Sequence, residues 1–187
     1  AILEKMKNMH VRELRIAIES ADQQILNTVI RKDLDLQKVS EVCKNCFELD
    51  VPLSAFYLIG MPGETKEHIQ KTLDLAYTLM KNYNVKPHVN IVNPIVGTEL
   101  YNMAKKNNFL ESDDYTKGGI FSGGRIRTDQ FTPEYLEEKR KEFYRKVRKL
   151  YVMKMLKKPS AISDNIVTMI RYPKSTFRLL KTAMQYT

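Results

Sequence analysis

Three short apolar runs recur along the first half of this chain at intervals of roughly 35 residues. They are Leu14–Ser20 (LRIAIES), Leu53–Gly60 (LSAFYLIG) and Val89–Ile95 (VNIVNPI). Each is rich in Ile, Val, Leu, Phe or Tyr and ends in turn or polar residues, as buried strands do. Helical patterns fill the gaps. Asp22–Ile30 puts Ile25, Leu26 and Val29 on one face; Leu36–Leu49 aligns Val39, Val42, Cys43, Cys46 and Phe47 at helical spacing. Thr65–Tyr83 does the same with Ile69, Leu73, Ala76, Tyr77 and Met80, and Glu99–Asn107 predicts a shorter helix. Strands alternating with helices predict βαβ units, a parallel sheet and right-handed crossovers. Three strands are too few for a closed barrel, which needs eight strands and about 250 residues. The expectation is an arc of an α/β barrel or open sheet whose first half lies outside the chain, the more so as the chain opens on Ala1 within a helical pattern.

The character changes after Leu110. Residues 111–131 hold Gly118-Gly119 and Gly123-Gly124 and read as a long loop with a short strand at Arg125–Thr128. Thr132-Pro133-Glu134 is a helix start, with a hydroxyl cap, Pro at the first position and an acid in the first turn. The helix is expected to run to about Lys158 on a stripe of Phe143, Val147, Leu150 and Tyr151, to stop at Pro159, and to be followed by two short helices either side of Pro173. Two domains are therefore expected: a body at 1–110 and a basic helical extension at 111–187. Charge follows a similar division. Residues 1–138 carry 17 Lys/Arg against 20 Asp/Glu, a net −3, whereas 139–187 carry 14 against 2, a net +12. Such a tail suits an anionic partner without naming one.

Several classes are excluded or disfavoured. The longest uncharged run, Val51 to Gly63, is 13 residues, against roughly 20 for a membrane span. No apolar leader is visible, since Glu4, Lys5 and Lys7 interrupt the start. Two cysteines make no disulfide framework, so a reducing cytoplasm is the expected compartment. Cys43 and Cys46 form a C-x-x-C, but on the apolar stripe of a helix, which reads as core rather than redox or metal site. No metal ligand set is expected within the chain.

The candidate chemistry lies where strands end, because ligands of parallel α/β folds bind there. Glu19 and Ser20 close the first strand; a carboxylate there can accept from ligand hydroxyls, and equally Ser20 or Asp22 can cap the next helix. Arg31 and Lys32 close that helix, where a cation is favourable anyway, and where a guanidinium fork could take a ligand carboxylate. Gly60-Met61-Pro62-Gly63-Glu64-Thr65 and Asn93-Pro94-Ile95-Val96-Gly97-Thr98 follow the second and third strands. Both could bring backbone close to a ligand or be tight turns; neither is a P-loop or a G-x-G-x-x-G fingerprint.

The series IES, L-x-x-V-I-R-K, F-Y-L-I-G-M-P-G-E-T and N-P-I-V-G-T-E-L-Y resembles, in order over about residues 1–110, the second half of the radical SAM enzyme core. It is most similar to the subset that often carries an N-terminal cobalamin-binding domain. The resemblance implies a partial TIM-like (β/α) barrel, C-terminal half only, plus an α-helical extension. It implies that Glu19 and Ser20 contact the ribose and methionine part of S-adenosylmethionine, that Arg31 binds the methionine carboxylate, and that Leu58 and Gly60 lie on the adenine. Asn93 and Pro94 would lie beside the adenine, and Glu64 would be a structural brace. Ala21 stands where the family usually has Gly, and Val96 where it usually has Pro.

The chain holds no C-x-x-x-C-x-x-C loop for a [4Fe–4S] cluster and no Gly-Gly-Glu segment. The resemblance implies that both, and any cobalamin site, lie in the N-terminal half of the same protein, outside this chain. The whole enzyme would cleave S-adenosylmethionine reductively to a 5′-deoxyadenosyl radical that abstracts hydrogen from its substrate. This piece would supply part of the cofactor wall, contribute no catalytic residue and be inactive alone. An exposed strand edge is expected to drive self-association unless the tail covers it. Two other readings stand beside this one. Another α/β-barrel enzyme could bind a phosphate at the Gly-Pro-Gly turn. Residues 139–158, with ten Lys/Arg and one acid, could serve a nucleic-acid-binding module, although a solvated helix accounts for them more simply.

Overall fold

The computed structural model describes residues 2–111 and 125–156. The chain divides into two compact units, 1–140 and 141–187. The first holds α1 (Ile2–Asn8), β1 (Leu14–Glu19), a π-helical segment (Ile25–Ile30), α2 (Leu36–Glu48), β2 (Leu53–Ile59), α3 (Lys66–Tyr83), β3 (Lys86–Ile91) and α4 (Glu99–Lys106). Helix α5 (Pro133–Leu156) begins in the first unit and continues into the second.

The three strands form one parallel sheet in the order β1-β2-β3. This is the α/β class that the alternating periods predict. Side chains alternate across the sheet as the pleat requires. Ile18, Ala55, Tyr57, Ile59 and Val89 are buried on the face where α2 and α3 lie against the strands and each other. The helices present Val39, Cys43 and Cys46, and Ile69, Leu73, Ala76 and Met80, all buried. Fully burying each large aliphatic side chain is worth about 1.5–3 kcal/mol, so this interface dominates the stability of the unit.

The other face is more open. Across the middle of the sheet lie Ala17, Phe56 and His88 in register. The Phe56 and His88 rings stack at 4.7 Å with 14° between planes. Nearer the strand starts, Glu13 accepts from Ser54 Oγ at 2.7 Å and from Arg15 Nε at 2.8 Å.

Helix starts are capped by the residues that the sequence offers. Asp35 accepts from Gln37 N–H, Thr65 forms a capping box with His68, and Thr98 accepts from Tyr101 N–H.

The structure corrects several expectations. The third strand runs from Lys86 to Ile91 rather than from Val89 to Ile95. Val92 N–H bonds to Ile59 C=O, so by the period of two the N–H groups of residues 90, 88 and 86 also face β2. The missing N–H of Pro87 therefore falls on the free edge, where it interrupts no ladder bond. The segment 25–30 is wound as a π-helix, not an α-helix. The α2 stripe is narrower than its periodicity predicts: Val42 and Phe47 are exposed. In place of a strand at Arg125–Thr128 there is a single antiparallel bridge between Leu110 and Ile126. Along α5, Phe143, Val147 and Leu150 are buried but Tyr151 is exposed. Most of the 111–131 loop, the end of α5 at Lys158 and the helices flanking Pro173 lie outside the described residues.

Candidate functional site

Parallel register brings the three strand ends to one edge of the sheet, with β1 stopping two residues short of β2 and β3. Glu19 pairs with Tyr57, and Ile59 with Ile91. The segments beginning at Glu19, Gly60 and Val92 thus leave the sheet at one end, side by side.

Glu19 is the most contorted residue on this rim. The register slips between Ala17 and Glu19, and Ser20 N–H bonds back to Ile18 C=O at 3.0 Å. Glu19 itself has φ +70°. This is a γ-turn in its strained hand, a conformation that costs on the order of 1–3 kcal/mol for a non-glycine residue and clusters at functional sites. Lys32 secures it. Its Nζ donates to Ala17 C=O at 2.6 Å and lies 3.6 Å from Glu19 Oε1. The carboxylate remains partly exposed.

Ser20 points elsewhere. It is fully buried; its Oγ lies 3.5 Å from Thr72 Oγ1 of α3 and accepts from Asp22 N–H at 3.2 Å. Thr72 also accepts from Ala21 N–H at 3.0 Å and donates to His68 C=O at 3.1 Å. One hydroxyl pair thus rivets the β1 tip to α3. Asp22 caps the π-helical segment by accepting from Gln24 and Ile25 N–H, and Lys71 and His68 stand 3.5 and 3.7 Å from its Oδ2. The capping reading holds for Asp22, and Ser20 acts with it.

At the end of β2, Gly60 has φ +91°, a conformation glycine adopts without strain. Its N–H and that of Met61 both donate to Glu64 Oε2, at 2.7 and 2.8 Å. Glu64 is 1% exposed, and its Oε1 has no hydrogen-bond partner. Burial pushes its carboxyl up to about 7, against the two N–H donors; the nearby Asp22 charge adds to the rise. The brace expected at Glu64 is present. A Cβ at Gly63 would lie 3.4 Å from Val29 Cγ2, so this turn rests on the π-helical segment. Leu58, one residue before the rim, is half-buried on the open face.

Arg31 ends the π-helical segment in the left-handed conformation, φ +57°. Its two terminal nitrogens grip the Glu99 carboxylate, at 2.9 and 3.2 Å. The guanidinium fork expected to suit a carboxylate already holds one, donated by the first residue of α4. After β3, Asn93 is half-buried and Pro94 buried, while Ile95 and Val96 are exposed. The structure therefore gathers Glu19, Gly60, Asn93 and Pro94 at one end of the sheet, with Leu58 one position earlier on β2, pairs Arg31 with Glu99, and turns Ser20 inward. Motif reading passes over Thr72 and Glu99. Their contacts at the rim are with residues 51 or more positions away, and only an acid opening a helix after a strand-end loop signals Glu99.

Among the described residues, no three of His, Cys, Asp or Glu come together to hold a metal ion. Cys43 and Cys46 are fully buried. Burial, with the neighbouring Cys46 sulfur, pushes the Cys43 thiol up to about 11, the reverse of what a thiolate ligand needs. No helix among the described residues is long and apolar enough to cross a membrane.

Residues 1–76 match the family model of the Radical SAM superfamily. The chain is also similar to the cytidylyl-2-hydroxyethylphosphonate methyltransferase of Streptomyces wedmorensis, 28% identical over 119 residues. That alignment covers 60% of this chain and 22% of the relative's length. The segment matched by the family model contains β1, β2 and the turns that follow them, so the likeness to the Radical SAM superfamily lies in residues 1–76.

Proposed function

We propose that residues 1–110 are the C-terminal half of a radical SAM partial barrel and supply part of the wall that binds S-adenosylmethionine. Glu19 would meet the ribose and methionine part, Arg31 the methionine carboxylate, Leu58 and Gly60 the adenine, and Asn93 and Pro94 its edge. The observation that carries this reading is the shared rim, at which an exposed guanidinium already takes a carboxylate in bidentate fashion. The donor set fits the cofactor: a fork for its carboxylate, a partly exposed acid for its hydroxyls, and an apolar strand end for its base. In the whole enzyme the cofactor would supply the 5′-deoxyadenosyl radical that abstracts hydrogen. A [4Fe–4S] cluster does not fit these residues, whose two thiols are buried in the core, so we assign its ligands to sequence outside the chain. The same applies to any cobalamin.

On this reading Ser20, Thr72 and Glu64 do not touch the cofactor; they hold the β1 and β2 tips in place. Lys32 acts likewise on Glu19. A nucleic-acid role for the basic residues 139–158 is the lesser reading. We assign the protein to the cytoplasm. Methyl transfer, the activity in the relative's name, is the reaction class to assay first.

Titration calorimetry of the intact protein with S-adenosylhomocysteine tests the wall. Arg31→Ala is expected to weaken binding about 10- to 100-fold, the value of a charge-assisted bidentate contact of roughly 1.5–3 kcal/mol. Unchanged affinity in that variant would remove the assignment.

A further inference from the structure

We infer that Glu99 is an internal rival for the Arg31 guanidinium, and that it weakens the binding of ligands carrying a carboxylate of their own while leaving carboxylate-free ligands untouched. The inference rests on the reading that Arg31 binds the ligand's carboxylate.

Three observations lead to it. The contact has the geometry of a ligand contact: both Arg31 terminal nitrogens meet both Glu99 oxygens, at 3.2 and 2.9 Å. It joins the connection leaving β1 to the connection leaving β3, and β2 lies between those two strands. On the proposed reading, a ligand lying along the strand ends would meet this pair. The segment before Glu99 is solvent-exposed and closed only by local bonds from Thr98 to Ile95 C=O. Ile95 and Val96 are 50% and 60% exposed, and Gly97, with φ +89°, has nothing within 4 Å of where a Cβ would stand.

Release of Glu99 is cheap for the fold. The carboxylate sits in the first turn of α4, where the helix N-terminus favours a negative charge with or without Arg31. The pair is also solvent-exposed, 69% and 76% at the two side chains, so it is weak enough to be displaced. No other carboxylate among the described residues is bonded to Arg31. The competent state, with Arg31 free, is then a fraction of about one third to one fifth of the population, given the usual strength of exposed pairs. A carboxylate-bearing ligand binds more weakly by that same factor. A nucleoside without a carboxylate never competes for Arg31 and is indifferent to Glu99.

The test compares S-adenosylhomocysteine with 5′-methylthioadenosine, which keeps the nucleoside and sulfur but lacks the carboxylate. Calorimetry on the intact protein is run for the parent, Glu99→Gln, Arg31→Ala and the double variant; both side chains are exposed, and melting curves check that each variant folds. Glu99→Gln is expected to tighten S-adenosylhomocysteine about three- to fivefold and to leave 5′-methylthioadenosine unchanged. The gain should vanish in the Arg31→Ala background. If Arg31→Ala weakens S-adenosylhomocysteine but Glu99→Gln changes nothing, the rivalry is refuted and the cofactor wall stands. Equal tightening of both ligands also refutes it, because Glu99 then acts on the whole site. No effect of Arg31→Ala, or no binding by the parent, removes the wall and this inference together.

Discussion

Glu64 should make this protein lose stability as pH rises, the reverse of an ordinary salt-bridged carboxylate. Its carboxyl is buried beneath the β2–α3 turn, and burial raises it from 4.5 to about 7. The native state thus holds a proton that the unfolded chain releases at lower pH. Stability rises with pH where the unfolded state binds more protons; here the native state binds more, so the slope is negative. The Glu64 contribution is complete below about pH 4.5 and is lost as pH climbs through 7. A displacement from 4.5 to about 7 corresponds to about 3 kcal/mol at 1.36 kcal/mol per unit. Between pH 5 and 8 roughly 2–3 kcal/mol of this is expected to appear. Glu64→Gln keeps a carbonyl for the Gly60 and Met61 N–H groups and carries no proton. Urea unfolding of parent and variant at several values between pH 5 and 8 isolates the effect, since other titrating groups cancel in the difference. The stability of the parent relative to the variant should fall by those 2–3 kcal/mol over the range. Parallel curves would mean that Glu64 is ionised in the native state throughout, and would refute the burial argument.

Three further outcomes follow from packing and hydrogen bonding. Gly60→Ala places a Cβ 2.5 Å from Leu136 Cδ1 at φ +91° and should cost about 1–3 kcal/mol in chemical denaturation; an unaltered midpoint would contradict the positive φ and the close packing at this turn. Thr72→Val leaves Ala21 N–H and Ser20 Oγ without their partner, for a loss of about 1–3 kcal/mol, and should speed hydrogen exchange at the β1 tip. Cys43 and Cys46 should resist iodoacetamide in the native protein and react on unfolding, because buried, protonated thiols are poor nucleophiles; rapid native labelling would place them at the surface.

The alternation of periods along residues 14–106 was enough to establish the α/β class, the parallel sheet and the helices flanking it. These are local properties. A strand pattern needs only neighbours two apart, a helix stripe neighbours three or four apart, and a cap such as Thr65 or Thr98 a single turn. The same locality explains the misreadings. Lys86-Pro87-His88 lacks apolar character, yet pairs with Ser54, Ala55 and Phe56 because the neighbouring strand sets the register. Among the candidate site residues, Glu19, Gly60 and Asn93 could be placed at strand ends from sequence, since a strand end is itself a local event. Which way their neighbours face could not. Ser20 turns into α3 because Thr72 stands there, Glu64 is buried because two backbone N–H groups converge on it, and Arg31 meets Glu99 across 68 positions. Such contacts depend on which strands lie side by side and at what offset, and that is settled only when the whole sheet packs.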